Sequence, residues 1–387
     1  MYLSANWLKK LTIRPALMFL SLMSMSVFAA DPSQRWQTNM SPGVTELGQN
    51  MYDIHMIVFW ISVAIGILVF GAMAYIIFFH RKSKGHQPSD FHESTVVELA
   101  WTIIPFFILG AMAIPATESI VKVYDTKDSD VDILITGYQW KWKYEYLSKV
   151  EGGKNFSFLS NLATPRDVIY GDSTTRKKRE NYLLEVDEPI LIPVNKKTRF
   201  LVTGGDVIHA WWVPDLAVKK DATPGFINET WTRPTKTGIF RGQCAELCGK
   251  DHGFMPIVVK VVEQAEFDTW VAEKSAGVNY DPLTHDQLME MGKSLYERTC
   301  AGCHMPTGEG IPGAFPALKG SAIATGDIKN HLGVVVKGRA GTAMAAFGTQ
   351  LNDLDLAAII TYERNAWGNN TGDTVQAVDL KNFKSGQ

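Results

Sequence analysis

Residues 244–255 have the sequence Cys-Ala-Glu-Leu-Cys-Gly-Lys-Asp-His-Gly-Phe-Met, and no other segment says as much about the architecture of this chain. Two thiolates, an imidazole and a thioether lie within these twelve residues. Such a mixture of soft and nitrogen ligands suits copper and electron transfer. A more distant histidine, His209, lies beside a predicted strand. A distant histidine together with a tight Cys/His/Met loop is typical of a copper site in a β-sandwich.

Two other uses of these side chains compete with copper. Cys244 and Cys248 could form a disulfide in an oxidising compartment, or they could bind tetrahedral zinc with His209 and His252. Neither alternative requires Met255. Copper is therefore favoured, and two cysteines four residues apart can each bridge a pair of copper ions.

The remaining two cysteines belong to the string Cys300-Ala-Gly-Cys303-His304, which is the attachment sequence for c-type haem. Cys300 and Cys303 would form the thioether bonds, and His304 would be one axial ligand of the iron. The opposite axial ligand must come from further along the chain, and Met344 and His331 are the candidates. Met344 is favoured because Met/His ligation raises the reduction potential of haem.

Length and charge limit the possible functions. A chain of 387 residues has room for two or three domains. The formal net charge of -2 gives no electrostatic reason to expect nucleic acid as a partner. Membrane and redox partners fit the composition better.

Residues 1–30 have the features of a secretory signal peptide. Three basic residues are followed by the apolar run 16–28 and by Ala29-Ala30, where cleavage is expected. A retained first transmembrane helix is the alternative, but the apolar run is short for a bilayer. Export agrees with the attachment of c-type haem outside the cytoplasm.

Residues 31–118 are predicted to form a two-helix transmembrane hairpin, with spans at about 54–79 and 96–116. Arg81, Lys82 and Lys84 lie in the short loop between the spans, so this loop is expected to face the cytoplasm. The chain after residue 118 then lies in the periplasm, and the protein is placed in the bacterial inner membrane.

The rest of the chain divides by composition. Residues 119–265 contain short runs rich in Val, Ile, Thr and aromatic residues, which predict an all-β sandwich; the runs are 131–135, 182–186, 189–194, 199–202 and 257–262. Residues 266–284 are predicted to be a linker that begins with a short helix. Residues 285–370 form an all-α domain with helices near 287–299 and 353–365, and residues 371–387 form a solvated tail.

The segments Asp206-Val-Ile-His209-Ala-Trp, Lys219-Lys-Asp-Ala-Thr-Pro-Gly225, Gly242-Gln-Cys244-Ala-Glu246-Leu-Cys248-Gly and His252-Gly-Phe-Met255-Pro-Ile resemble subunit II of haem-copper cytochrome c oxidases. The resemblance covers residues 40–263. It implies a cupredoxin-like domain with a binuclear copper A centre, whose ligands are His209, Cys244, Cys248, His252, Met255 and the backbone carbonyl of Glu246. It also implies that the Glu246 side chain binds a magnesium or manganese ion shared with subunit I.

Two further residues match positions of that family. Trp140 matches the tryptophan at which electrons from cytochrome c enter, although paired aromatic residues inside a strand are the commoner use of such a run. Glu98 matches a carboxylate at the mouth of a proton channel into subunit I, although its place near a helix end lets it reach water. The family usually has His where Tyr138 stands, and its Pro-Gly-Arg motif appears here as Pro-Gly-Phe at 224–226.

The loop Gly341-Thr-Ala-Met344-Ala-Ala-Phe347-Gly resembles the distal loop of class I cytochromes c. The whole chain is therefore similar to subunit II of a caa-type cytochrome c oxidase. The resemblance implies a proton-pumping terminal oxidase in which this subunit receives electrons from a periplasmic cytochrome c donor. They would pass through its haem c and copper A to subunit I, which reduces oxygen to water, with subunit III as a further partner.

Two other functions are compatible with parts of this pattern. A copper-A-type nitric oxide reductase would use the same subunit to receive electrons, because the catalytic site lies in another chain in both cases. A subunit that has lost copper and only stabilises its complex is the third possibility. The intact set of copper ligands argues against this last function.

Overall fold

The computed structural model describes residues 39–87, 92–149, 153–174, 181–277 and 280–386. The predicted signal peptide lies outside these residues. Two long apolar helices come first, α1 (Glu46–Phe79) and α2 (Thr95–Tyr124), and both are long and apolar enough to cross a membrane. Both helices are longer than the predicted spans because helical turns that contain polar residues extend the apolar part of each. The hydroxyl of Thr45 caps α1 by accepting a hydrogen bond of 2.9 Å from the Gly48 N–H.

The β domain is a sandwich of two five-stranded sheets. One sheet has the order β3-β2-β1-β5-β8 and the other β4-β10-β9-β6-β7. The strands are β1 (Val131–Tyr138), β2 (Lys141–Leu147), β3 (Phe156–Ser160), β4 (Ile190–Pro193), β5 (Thr198–Gly204), β6 (His209–Val213), β7 (Val218–Ala222), β8 (Asn228–Thr232), β9 (Gly238–Cys244) and β10 (Pro256–Val262). Alternation of side chains defines the core: on β2, Trp142, Tyr144 and Tyr146 are buried between the sheets.

One predicted strand is wrong. Residues 182–186 form turns, and only Val186 makes an isolated bridge, to Leu162. Asn181 and Leu183 both have positive φ angles, which a strand cannot contain. A short helix, α3 (Arg166–Tyr170), lies earlier in the same excursion between β3 and β4.

The predicted linker begins with a helix, as expected. Helix α4 (Gln264–Ser275) packs on the sandwich, where Phe267 is buried. The ring of Trp270 lies edge-on to Tyr146 at 5.1 Å and to Phe156 at 5.4 Å between ring centroids. Aromatic packing therefore fixes most of the residues assigned to the linker, and the connection to the next domain follows Ser275.

The C-terminal domain is helical, as predicted. It contains α5 (His285–Thr299), α6 (Ala301–His304), α7 (Ala322–Thr325), α8 (Ile328–Lys337), α9 (Asp353–Asn365) and α10 (Ala377–Ser385). Thr284 and Gln287 form a capping box at the start of α5. Helices α5 and α9 cross closely because Gly292 has no side chain to hold them apart, and a Cβ there would collide with the Ala358 carbonyl.

The expected solvated tail is also wrong. Helix α10 packs its apolar side against α9, with Leu380 fully buried and Val375, just before the helix, almost fully buried. The apolar residues Val375, Ala377, Leu380 and Phe383 are spaced two or three positions apart, so one face of this segment covers the core.

The β domain and the helical domain meet at a polar cluster. Arg298 Nη1 at the end of α5 lies 3.4 Å from Asp187 Oδ2 of the β domain. Asp355, in the first turn of α9, is half-buried near this pair. Burial, together with the charges of Glu188 and Asp187, raises the pKa of Asp355 to about 6 against the opposing effect of Arg298.

Replacing Gly292 by Ala should force α5 and α9 apart. Overpacking of this kind costs about 1–3 kcal/mol, so backbone amides in α5 and α9 should exchange hydrogen faster, measured by mass spectrometry on the full chain. Gly333→Ala in α8 is the matched control, because the added Cβ would meet only Phe383 at 4.0 Å. Equal effects of both variants would contradict this account of the crossing.

Asp355→Asn should change how the stability of the helical domain depends on pH. Because the folded state raises the pKa of Asp355 to about 6, the stability that its protonated form contributes is fully present below the ordinary carboxyl pKa of about 4 and is lost as pH rises through 6. The variant should remove this loss, which we expect to be about 1–2 kcal/mol. Thermal unfolding at pH 5 and pH 7.5 measures it, with the exposed first-turn Asp286→Asn in α5 as the control; an equal pH slope in the variant and the parent protein would refute it.

Candidate metal centre and haem-attachment site

The predicted metal ligands come from three places in the second sheet. His209 is the first residue of β6, and Cys244 is the last residue of β9. These strands are antiparallel neighbours, with Trp211 opposite Cys244. The connection from β9 to β10 supplies the remaining side chains. Strand pairing therefore brings the distant histidine to the cysteine loop.

Cys244 has three donor atoms around its sulfur. Its Sγ lies 3.8 Å from Cys248 Sγ, 3.9 Å from His209 Nδ1 and 3.3 Å from the carbonyl oxygen of Glu246. The backbone carbonyl of Glu246 is thus placed as the family resemblance implies. Its side chain is half-buried, and the binding of magnesium or manganese there stays a prediction.

Cys248 has a second pair of donors. Its Sγ lies 3.4 Å from His252 Nδ1 and 3.5 Å from Met255 Sδ. Met255 is almost fully buried, and its carbonyl accepts a hydrogen bond of 3.2 Å from the indole of Trp142. Each cysteine therefore has its own neighbouring imidazole and one further donor.

The charges and hydrogen bonds around the cluster favour the thiolate form of cysteine and fix the orientation of the His209 imidazole. The hydrogen bond between the two thiols lowers the pKa of Cys244 and raises that of Cys248, so the pair shares one proton. Burial alone would lower the pKa of His209, but Asp206 Oδ1 at 2.8 Å from its Nε2 raises it. That contact turns Nδ1 toward the sulfurs.

These residues fit a copper centre. The two sulfurs lie 3.8 Å apart, close enough for both to bind the same metal ion. The sulfurs are not bonded to each other. The cluster also offers more donors than the four that tetrahedral zinc takes. Soft sulfur with imidazole is the set that copper prefers.

The aromatic run before β2 contacts this cluster directly. Trp140 is half-buried and donates a hydrogen bond of 3.2 Å from its indole N–H to the carbonyl of Cys248. The amide of Gln139 donates to the same oxygen at 2.8 Å. Trp142 is fully buried instead, with its ring edge-on to His209. Trp140 is thus the partly exposed aromatic residue at the cluster, and its role in receiving electrons stays a prediction.

Sequence reasoning missed several supporting residues. Asp206 orients His209, and Gly137 allows the imidazole to approach β1, since a Cβ at Gly137 would lie 2.9 Å from the ring. A glycine inside a predicted strand signals such a close approach. For Asp206, the only signal in the sequence is that it lies close to His209 along the chain.

The haem-attachment residues lie on the short helix α6 and at its N-terminus. Cys300 and Cys303 are half-buried, and the pKa of Cys300 is raised well above its usual value by burial and by Glu363. His304 Nδ1 lies 2.9 Å from the carbonyl oxygen of Pro316, so Nδ1 donates and Nε2 is left free for a metal. This arrangement fits covalent attachment of haem with His304 as an axial ligand.

The two candidates for the other axial position differ in their surroundings. His331 is only 2% exposed, and its Nε2 lies 2.9 Å from a carboxylate oxygen of Glu363. Met344 is half-buried in a loop whose turn is closed by the hydrogen bond of 2.9 Å from the Arg339 N–H to the Met344 carbonyl. Glu363 engages one nitrogen of His331, as the Pro316 carbonyl engages one nitrogen of His304, so these contacts do not decide between the two candidates. Ligation of haem by Met344 stays a prediction.

Glu98 lies in the first turn of α2 and is exposed in this chain. Its carboxylate accepts a hydrogen bond of 3.3 Å from the Ser94 N–H. This contact gives Glu98 a capping role at the helix terminus. A role where protons enter subunit I stays a prediction.

Comparison with known families divides the chain in the same way. Residues 33–118 match the transmembrane domain of cytochrome c oxidase subunit II, and residues 131–262 match its periplasmic domain. Residues 287–362 match a family described as cytochrome c oxidase, cbb3-type, subunit III. The predicted hairpin, β-sandwich and cytochrome c domain are thus confirmed.

Relatives match over most of their length. A probable cytochrome c oxidase subunit 2 of Rickettsia felis is 36% identical over 260 residues, which are 67% of this chain and 78% of that protein. Cytochrome c oxidase subunit 2 of Cereibacter sphaeroides is 32% identical over 63% of this chain and 82% of its own.

Among solved structures, the periplasmic domain of subunit II of cytochrome oxidase from Bradyrhizobium japonicum is 45% identical, with a TM-score of 0.33 over 39% of this chain and 97% of that one. With the cysteine, histidine and methionine cluster, the apolar hairpin and the haem-attachment motif in place, the chain belongs to the cytochrome c oxidase subunit II family and carries a fused cytochrome c domain.

Proposed function

We propose that this protein is the subunit through which electrons enter a proton-pumping terminal oxidase of the bacterial inner membrane. One observation carries the proposal: the two donor clusters lie on either side of two consecutive residues. Trp140 contacts the carbonyl of Cys248, and the buried Lys141 lies over the ring of Phe347, which packs against the same apolar cluster as Cys300. A periplasmic cytochrome c would then be the donor, and subunit I would be the acceptor.

In the copper domain, Cys244 and Cys248 would hold two copper ions together with the donors around them. The distances above give each sulfur a separate imidazole and a separate weak donor. The terminal donors are His209 and the Glu246 carbonyl near one sulfur, and His252 and Met255 near the other. A bound copper pair supplies a centre that accepts and releases single electrons.

In the helical domain, Cys300 and Cys303 would hold haem c covalently, and His304 and Met344 would be the axial ligands. Haem supplies a second one-electron centre, whose potential depends on those ligands. The role of the chain itself is to bind and orient: the Pro316 carbonyl fixes the tautomer of His304. Association with subunit III, the shared magnesium or manganese at Glu246 and the part of Glu98 in proton uptake belong to the same proposal.

A purified complex containing the full chain should carry two coppers and one covalent haem per copy. Cys244→Ser should lose copper and keep haem, because Cys244 and the haem-attachment cysteines lie in separate domains. Cys300→Ser is the reciprocal control: it should lose one thioether bond and keep copper. Metal analysis and the haem spectrum measure both, and a complex without copper would refute the relay through this domain.

The catalysed reaction separates the two functions that share this subunit. Because the family is that of cytochrome c oxidases, the complex should consume oxygen when supplied with reduced cytochrome c. Reduction of nitric oxide without oxygen consumption would instead support the nitric oxide reductase. The measurement is gas turnover by the same preparation, with Cys244→Ser as the control that should lower either activity.

Met344→His should leave haem covalently attached and lower its reduction potential, because bis-histidine ligation favours the ferric state relative to Met/His ligation. His331→Gln is the control, since an amide can still bond to the Glu363 carboxylate. A redox titration followed by absorbance measures both variants. A potential that responds to His331→Gln and not to Met344→His would reverse the ligand assignment.

A further inference from the structure

The outer face of β2, which points away from the sandwich core, is buried rather than exposed to solvent. Trp142 and Tyr144 point into the sandwich, so Lys141 and Lys143 point away from it. Such residues normally face solvent. Lys141 is nevertheless only 4% exposed, and Leu159, directly opposite Lys143 on β3, is only 8% exposed.

The helical domain covers this face. Lys143 Nζ donates a hydrogen bond of 2.8 Å to the Thr349 carbonyl, and Lys141 Nζ lies 4.8 Å from the centroid of the Phe347 ring. Leu159 belongs to the apolar cluster of the helical domain, together with residues such as Leu351. The two domains therefore share a packed seam that runs along β2 and β3.

Lys141 reaches the apolar cluster that the haem-attachment cysteine Cys300 borders, because its Nζ lies 4.8 Å from the centroid of the Phe347 ring and both Phe347 and Cys300 pack against that cluster. Burial lowers the pKa of its ammonium, while Cys300, Asp206 and Cys303 act in the opposite direction. In an interior of low dielectric constant such a charge acts over a longer distance than at the surface. On the helical side, the carboxylate of Glu363 contacts Cys300 and lies 2.9 Å from Nε2 of His331.

We propose that Lys141 is the residue through which the copper domain raises the reduction potential of the haem held by Cys300 and Cys303. The inference rests on the proposed function, because it requires haem at these cysteines. Adding one electron to ferric haem lowers the charge of the site by one, and a nearby cation favours that change. Docking of the domains and the haem potential are therefore linked through one side chain.

The test is a redox titration of the haem in the full complex at fixed pH and ionic strength. Lys141→Met should shift the haem equilibrium toward the oxidised form on the order of tenfold, the size of effect expected for one full charge in an interior with an effective dielectric constant of about 20. Tenfold corresponds to about 59 mV for a one-electron couple. Lys141→Arg retains the charge and should stay within about threefold of the parent protein.

Lys143→Met is the matched control, since Lys143 is on the same face of the same strand and binds a carbonyl rather than facing the cysteines. Its haem potential should stay within about threefold of the parent. An unchanged potential in Lys141→Met, or an equal shift in Lys143→Met, overturns the inference.

A second variant covers the case in which Lys141→Met does not assemble. Leu159→Asn buries an uncharged amide without a partner in the seam and should separate the domains while Lys141 remains in place, so the haem potential should fall in the same direction. A potential that does not move in this variant overturns the inference. Loss of covalent haem in the parent protein would instead overturn the proposed function, and the haem spectrum distinguishes the two failures.

Discussion

The pairing of β6 with β9 is the constraint on which the metal cluster depends. Trp211 lies opposite Cys244, and His209, two residues before Trp211, points to the same side. A shift of one residue in this register would turn His209 to the face opposite Cys244. Register is secured by burial, because Trp211 is fully buried and donates its indole N–H to the Tyr144 hydroxyl at 3.2 Å. The hydrophobic core of the sandwich therefore positions the ligands.

The same core explains how the cluster is connected to the rest of the protein. Trp142 faces inward and supports Met255 and His209, whereas its neighbour Lys141 faces outward to the helical domain. Because side chains alternate along β2, the adjacent residues Trp142 and Lys141 contact the metal cluster on one face and the helical domain on the other. Trp140, at the start of that strand, completes the link through the carbonyl of Cys248.

Much of the site could be predicted because its residues are close in sequence. The spacing of Cys244, Cys248 and Met255 carries its own chemistry, and so does the haem motif. Features that depend on contacts between distant segments could not be predicted. In the sequence, Lys141 resembled any exposed lysine on a strand. The apolar composition of 182–186 suggested a strand, but the chain there contains turn residues with positive φ angles instead. The terminal helix was missed because Leu380 is buried only by the rest of its domain.

Fusion of the haem domain changes what its interface must achieve. A tethered domain has a high effective concentration, so its contacts need not supply the full free energy of association. The seam is accordingly mixed: Leu159 supplies apolar area, while Arg298 with Asp187 and Lys143 with the Thr349 carbonyl supply polar contacts at its sides. Polar contacts of this kind set orientation more than affinity. Because orientation determines which side of the helical domain faces Trp140, the seam supplies geometry, and the tether supplies proximity.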